Sequence, residues 1–515
     1  MNLHPAQALR FVDSFWEDRV LPTLRDYIEI PNQSPFFDAD WERKGHMDDA
    51  VGLVKAWCEE QAPSNAEVTV HTGVGRTPLL LIDIPGRLPG QVLLYGHLDK
   101  QPPCSGWREG LSPCGRPVRD GDRLYGRGGA DDGYAVFACI GAIALLEAQG
   151  IPFPRCVLLM ECSEESGSPD LAYYLDRLHD RIGTSALVVC LDSGCGNYEQ
   201  LWVTTSLRGL IGGNLTVEVL RNGVHSGDAS GVVPSSFRII RALLDRIEDQ
   251  ETGEIVAAFQ VATPPRTLEQ IEHAADALGA DHFRRFPVIG DLSTVGATTF
   301  ENMVNRTWRP ALEITGAGDL PALDATGNVL RPRTSLKLSL RLPPTLDATE
   351  ASATLARMLQ TNPPYQARVS HETEWETNGW QCPPFSDWLD SAVRESSTTF
   401  FGRPAIYAGE GFSIPFMPAL VRAFPNTPVR GDRRAGSGFQ FPRTERISPC
   451  GHGEEADCLC QRNREQRIKI RSGSPHGYGA LTVFGVADER ACTLPGVIEC
   501  DGYSRGSFER YFPGA

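Results

Sequence analysis

Apolar residues recur along this chain with three different periods, and the periods sort it into regions. Between residues 6 and 30 they return every three or four positions, placing Phe11, Phe15, Leu21, Leu24 and Ile28 on one face. Residues 44–61 repeat the pattern with Val51, Val54 and Trp57. Both stretches are predicted amphipathic helices, joined by a loop at Ile30-Pro31-Asn32-Gln33-Ser34-Pro35, where prolines and polar residues gather. The pattern then changes to short unbroken apolar runs. Residues 92–95, 157–160 and 187–189 predict buried strands, with further short strands near 67–71, 78–84 and 91–96. Residues 135–146 form a longer apolar run that reads as a buried helix. Strands alternating with helices argue for a largely parallel α/β sheet covered on both faces.

A strict alternation marks the third region. Leu215-Thr216-Val217-Glu218-Val219 and Leu336-Lys337-Leu338-Ser339-Leu340-Arg341-Leu342 switch between apolar and polar at every step, as half-exposed antiparallel strands do. A turn is predicted at 223–227 and helices over 234–247 and near 347–360. Residues 206–382 are therefore expected to be an inserted α+β domain. It interrupts a catalytic domain made from 1–205 and 383–429, the chain returning at Pro383-Pro384-Phe385 with another helix. Two domains suit a chain of 515 residues.

Composition removes several classes. A net charge of −16 argues against a nucleic-acid partner. No run of about 20 apolar residues is expected to span a bilayer, and Met1-Asn2-Leu3-His4-Pro5 has none of the features of a signal peptide. Fourteen cysteines are scattered without paired zinc-ribbon spacing, which suits reduced thiols and a cytoplasmic location. Residues 430–515 stand apart. They carry 12 Arg, one Lys and 11 acidic residues, a net of +2 against −18 for the rest, and lose hydrophobic periodicity. That stretch does not read as the end of the same folded sheet.

The chemistry gathers where predicted strands end. Residues 92–95 lead to His97 and Asp99; 157–160 lead to Glu161, Glu164 and Glu165; and 187–189 lead to Asp192. Between them, glycines at 126, 128, 129 and 133 surround the adjacent carboxylates Asp131 and Asp132. A dinucleotide fingerprint is excluded, because Asp131 stands where its third glycine belongs and carboxylates repel a pyrophosphate. Strand ends in α/β sheets are where ligand sites form. One His with several carboxylates delivered there reads as a metal site, and of two adjacent carboxylates one can hold metal while the other moves a proton.

These motifs resemble the zinc-dependent exopeptidase family of carnosinases, peptidase T, aminoacylase and succinyl-diaminopimelate desuccinylase. The resemblance is nearest to the carnosinase-like cytosolic dipeptidases. Tyr-Gly-His97-Leu-Asp99, Gly-Arg-Gly-Gly-Ala-Asp131-Asp132, Glu164-Glu165-Ser-Gly-Ser and Asp192 follow the family's order and spacing, and so do His225-Ser226-Gly227, Arg341 and Gly411-Phe412-Ser413-Ile414-Pro415. The resemblance covers roughly residues 1–429. It implies a di-zinc catalytic domain with an inserted lid and dimerisation domain, acting on a small peptide at an amide bond next to a free carboxylate. His97, Asp131 and Asp192 would hold one zinc; Asp131, Glu165 and a late histidine would hold the second. Asp99 would orient His97, and Glu164 would be the general base. Arg341 would grip the substrate carboxylate, with Asn328 and Ser413 as further contacts. His225 would reach the partner's site in a homodimer. A cis peptide is expected between Asp131 and Asp132. Manganese or cobalt could replace zinc, and an N-acyl-amino-acid deacylase or a catalytically impaired relative are the alternative readings.

The chain departs from the family in three places. Gly133-Tyr134 replaces the lysine that often follows the Asp-Asp pair, and Phe412 replaces a glycine. The family's Ser-Asn-x-His-Gly-Pro-Asn-Glu segment, which carries the late histidine, does not occur; only His452 and His476 follow His371. Codons can be chosen for residues 431–448 that, read one base later, spell Val-Thr-Gly-Val-Leu-Gly-Pro-Gly-Ser-Asn-Ser-His-Gly-Pro-Asn-Glu-Phe-Leu. That is the missing segment. The tail is therefore read as out of frame, with a weakened second metal site.

Overall fold

A computed structural model describes residues 3–103, 107, 110–112, 115–121, 123–414, 416, 417 and 420, together with two strand segments at 467–469 and 480–484. Its frame is a nine-stranded mixed sheet. From one edge the order is Glu67–His71, Leu79–Ile84, Pro154–Glu161, Leu88–His97, Leu187–Cys190, Ala480–Phe484, Trp202–Leu207 and Trp380–Gln381, with Ile406–Glu410 paired to Trp202–Leu207. Leu88–His97 runs parallel to both Pro154–Glu161 and Leu187–Cys190. The flanking pairs Glu67–His71 with Leu79–Ile84, and Leu79–Ile84 with Pro154–Glu161, are antiparallel.

The three parallel strands are apolar on both faces because both faces are covered. Leu80, Ile82, Val92, Leu94, Leu158 and Met160 pack with the N-terminal helices and the helix Tyr134–Ala148. Their neighbours in sequence, Leu79, Leu81, Leu93, Tyr95, Val157 and Leu159, point the other way, against Leu171, Tyr174 and Leu175. The expected helix over 6–30 is one helical run in three parts: Pro5–Phe15, a wider turn at Trp16–Val20, and Leu21–Glu29. The second expected helix is His46–Gln61. Gly129–Ala148 corrects the expectation that no segment could span a bilayer: it is long and apolar enough, but 83% of its apolar window is buried in the protein. Its regular helical part, Tyr134–Ala148, is a core helix that is hydrophobic on every side, while Asp131 and Asp132 ahead of it are non-helical.

The alternating region forms its own four-stranded antiparallel sheet, ordered Ala311–Gly318, Arg333–Leu342, Gly209–Glu218 and Arg368–Thr377. Leu336, Leu338 and Leu340 lie opposite Leu215, Gly213 and Ile211. The apolar face is covered by the helices Ser236–Leu244 and Ala348–Gln360. Asp347 starts the second of these helices by accepting the Glu350 amide at 2.9 Å. The span 206–382 holds more than this unit. Helices Pro265–Leu278 and Thr299–Thr307 bury Ile271, Ala274 and Met303 with Trp202 and Ala408, residues of the large sheet.

The tail also differs from expectation in two short segments. Ala480–Phe484 lies between Leu187–Cys190 and Trp202–Leu207, antiparallel to the first and parallel to the second. Arg467–Lys469 pairs with Arg123–Tyr125. Ala-Leu-Thr-Val-Phe is a run of strand-forming residues, which is the type a gap in a sheet accepts.

The glycine-rich loop is shaped by the helix Leu21–Glu29. A Cβ on Gly133 would sit 2.2 Å from Tyr27 Cε1 and 2.6 Å from the Gly128 carbonyl oxygen. Gly133→Ala is therefore expected to destabilise the chain by about 1–3 kcal/mol. Gly52, on the exposed face of His46–Gln61, has open space around its Cα. Gly52→Ala should stabilise by about 0.5–1 kcal/mol. Melting curves of the two variants check both the sign and the contrast.

Candidate metal centre

The register of the parallel strands brings the chemistry level. His97 pairs with Glu161, and Tyr95 with Cys190, so the loops that leave these strands start side by side. His97 is fully buried. Its Nδ1 is 3.1 Å from the Asp99 carbonyl oxygen and 3.4 Å from Asp99 Oδ1. An Nδ1–H given to that carbonyl leaves the Nε2 lone pair facing the acids. Nε2 is buried without a hydrogen-bond partner, 3.4 Å from Asp131 Oδ1 and 4.0 Å from Glu164 Oε2.

Each acid is held by backbone of a different origin. The peptide between Asp131 and Asp132 is cis. Asp132 goes inward and accepts the His97 amide at 3.1 Å, while Asp131 stays partly open. Glu164 and Glu165 sit on one 3₁₀ turn whose first amides both point at Asp99: Glu164 N to Oδ1 at 3.1 Å and Glu165 N to Oδ2 at 2.9 Å. Asp99 thus grips the Glu-Glu turn as firmly as it faces His97, a role its position in the sequence does not reveal. Gln101, which sequence reasoning missed, donates to Glu165 Oε2. Asp192 follows the strand end, and the Tyr134 hydroxyl donates to the neighbouring Leu191 carbonyl.

Two overlapping groups of ligand atoms result. Those of His97, Glu164 and Asp192 lie within 4.8 Å of one another, and so do those of His97, Asp131 and Glu165. Burial pushes Glu164 well above the usual carboxylate range, and Asp192 pushes it further. Glu165 is raised by burial and by Asp131. Burial raises Asp192 to about 6. Burial works against the charge on His97, yet Asp131 and Asp99 hold its pKa well above the ordinary value. Several acids crowded in a poorly solvated space cannot all stay ionised unless a cation joins them. The donor set, one imidazole nitrogen with carboxylate oxygens, suits a divalent metal such as zinc, and the orphaned Nε2 and Glu165 Oε1 are two atoms such an ion would satisfy.

The expected substrate contacts fall into two pairs. Arg341 NH1 donates to Ser413 Oγ at 3.2 Å, and Ser413 Oγ donates to the Arg208 carbonyl at 2.6 Å. Arg208, also missed, lies where the chain crosses between the two sheets. Its guanidinium donates to the carbonyls of Gly411, Asn305 and Arg309. His225 and Asn328 are neighbours on an exposed two-stranded ribbon, where the Ser226 amide donates to the Asn328 carbonyl at 2.8 Å. Among the described residues, no hydrogen bond or ion pair joins these two to the acids. The histidines considered as a late ligand, His452 and His476, lie outside the described residues.

Fold and site together define a metal-dependent hydrolase. The chain belongs to Peptidase family M20/M25/M40, whose model matches residues 93–414. It is 26% identical to the cysteinylglycine-S-conjugate dipeptidase of Corynebacterium striatum over 347 residues, 65% of this chain and 72% of that protein. It is also 26% identical to the human Beta-Ala-His dipeptidase over 275 residues, 53% of this chain and 54% of that one. Among solved structures, human carnosine dipeptidase 1 shares the fold with a TM-score of 0.63 at 20% identity, covering 81% of this chain and 90% of the other. The Saccharomyces cerevisiae dipeptidase Dug1p gives 0.62 at 19% identity, covering 82% and 90%.

The raised acids set a pH dependence for metal uptake. Ligands must be deprotonated to bind, so protons held by His97, Glu164, Glu165 and Asp192 must leave. Zinc affinity is expected to fall as pH drops through about 6, where Asp192 takes up its proton. Uptake near neutral pH should release protons. Calorimetry in two buffers of different ionisation enthalpy counts them, and equal heats in both would contradict the shifts.

Proposed function

We propose that this chain is a di-zinc dipeptidase that hydrolyses dipeptides or short peptides at an amide bond next to a free carboxylate. What supports the reading is that His97 and the carboxylates of Asp131, Glu164, Glu165 and Asp192 meet in two groups of ligand atoms, His97-Glu164-Asp192 and His97-Asp131-Glu165. Since one ring nitrogen holds one ion, a carboxylate and not the imidazole is the ligand common to two metals. In this reading His97, Asp131 and Asp192 would hold one zinc, and Asp131 and Glu165 would serve as ligands to a second. Bound zinc supplies Lewis acidity toward the scissile carbonyl. Glu164, buried but 11% open at its side chain, accepts the proton of the attacking water and delivers it to the leaving amine. Burial and Asp192 raise its pKa, the direction that suits a group which must take up a proton and give it back. Arg341 receives the substrate carboxylate, its planar guanidinium matching the two oxygens, and Ser413 sets that guanidinium's position. Asn328 is a further contact. His225, exposed on its ribbon, serves the partner's site in a homodimer. Cys58, Cys139, Cys162 and Cys190 are free thiols, which supports a cytoplasmic location.

Paired substitutions test the division of labour. In a chain whose second site is complete, Glu164→Gln is expected to lower turnover on dipeptides by at least about 100-fold with zinc content nearly unchanged, whereas Glu165→Gln should weaken zinc binding. Metal analysis and rates on a panel of dipeptides and N-acyl-amino acids decide it. The reverse assignment, or cleavage of N-acyl substrates alone, would overturn it.

The tail belongs to the same proposal. Asp131 and Glu165 are fewer ligands than the four a zinc ion usually takes, and codons can be chosen for residues 431–448 that spell the missing histidine segment one base later. The chain as it stands is then expected to bind one zinc well and the second poorly, and to turn over slowly. Restoring the frame near codon 430 should return both the second zinc and activity. A gene whose shifted frame lacks the segment, or two tightly bound zincs in the present chain, would refute this.

A further inference from the structure

Glu161 ends the strand Pro154–Glu161, is 2% exposed, and takes no part in either ligand group. Its carboxylate nevertheless has three hydroxyl donors. Tyr95 Oη donates to Oε1 at 2.6 Å, Ser168 Oγ to the same oxygen at 2.8 Å, and Ser163 Oγ to Oε2 at 3.0 Å. Ser163 and Ser168 are the residues at either end of the turn that carries Glu164 and Glu165. Inside that turn the amides of Ser166 and Ser168 reach the Ser163 carbonyl, and the Gly167 amide reaches that of Glu164. Ser168 closes the turn at φ 54°, a left-handed conformation that a non-glycine residue adopts only when something holds it. Its hydroxyl bond to Glu161 is that hold.

We infer that Glu161 is a positioning residue: a buried carboxylate that clamps both ends of the Glu164–Glu165 turn and so fixes where the base and the ligand point. Asp99 holds the same turn from its main-chain side through two amides, and Glu161 holds it from beneath through two side chains. A carboxylate suits the task because all three partners are donors and it is acceptor-only. An amide in its place keeps one accepting oxygen and puts hydrogens at the other position, so the hydroxyl there must reverse its bond and accept, exchanging a charge-assisted bond for a neutral one. Tyr95 completes the arrangement from the neighbouring strand, two residues before His97, so the clamp links the turn to the strand that delivers the imidazole. Removing such an outer partner commonly weakens metal binding about 10- to 100-fold.

The inference rests on reading Glu164 and Glu165 as metal-site residues, so two readouts separate the ideas. The first is zinc affinity by chelator competition; the second is hydrogen exchange of residues 162–169, which needs no metal. In the full chain, Glu161→Gln and the double variant Ser163→Ala/Ser168→Ala are each expected to speed exchange in that segment at least about tenfold. Both should weaken zinc about 10- to 100-fold, with exchange elsewhere and the melting temperature close to the parent's. The double variant keeps Glu161 and the core intact, so it stands even where Glu161→Gln folds poorly. Faster exchange in a chain that takes no zinc would support the clamp and refute the metal reading. Unchanged exchange and unchanged zinc affinity in both variants would overturn the clamp. So would a general loss of stability with no local effect, which is what a merely structural acceptor would give.

Discussion

Concentrated negative charge at the ends of buried strands is the constraint on which this molecule turns. Moving one carboxylate out of water carries a penalty on the order of several kcal/mol, and here Asp131, Glu164, Glu165 and Asp192 surround one imidazole. Such a group persists only where the surrounding fold fixes it against relaxation and where a cation neutralises it. The sheet supplies the first condition, since three parallel strands with both faces packed leave their ends nowhere to move. The chemistry of the donor set supplies the second. Stability and function are therefore opposed at the same atoms, and the supporting carboxylates Asp99 and Glu161 are part of how the opposition is managed.

The N-terminal helix belongs to that support. Tyr27 gives its hydroxyl to the Leu98 carbonyl at 2.7 Å, and Asn32 donates to the same oxygen at 2.6 Å. Lys100 is buried beside Gly128, donates 2.7 Å bonds to the carbonyls of Tyr27 and Ile30, and lies 4.1 Å from the centre of the Tyr27 ring. A lysine at the end of a helix meets carbonyls that have no partner in the helix itself. The segment from His97 to Lys100 is thus gripped from one side by the helix Leu21–Glu29 and from the other by the Glu-Glu turn. Tyr27 also leaves no room for a side chain at position 133, which gives a local reason for glycine after the Asp-Asp pair.

Much of this was legible from spacing alone. Leu336 to Leu342 announce an antiparallel strand because each step changes face. Residues 157–160 announce a buried one because no step does. His97, Asp131, Glu164, Glu165 and Asp192 could be grouped because each follows such a run or a glycine turn. What stayed hidden depends on backbone direction, which no side-chain pattern encodes. The two amides that meet Asp99 exist only because the chain turns at Glu164. Glu161 reads as one more acid at a strand end until Ser163 and Ser168 fold back over it. Arg208 reads as an ordinary charge until the chain is seen to cross between sheets there. Helix Pro265–Leu278 was readable in principle from Leu268, Ile271, Ala275 and Leu278, but its packing against Trp202 was not.

The two overlapping ligand groups, their clamps and the strands that carry them lie between Leu88 and Asp192, with one helix donated by the first thirty residues. The ligand side chains themselves are therefore encoded before the inserted sheet begins, although later residues such as Phe416, against Tyr95, complete the packing behind them. During synthesis a ribosome releases that information first, and domains made first fold first. The candidate metal ligands are thus sheltered, in the genetic sense, from errors written later in the message.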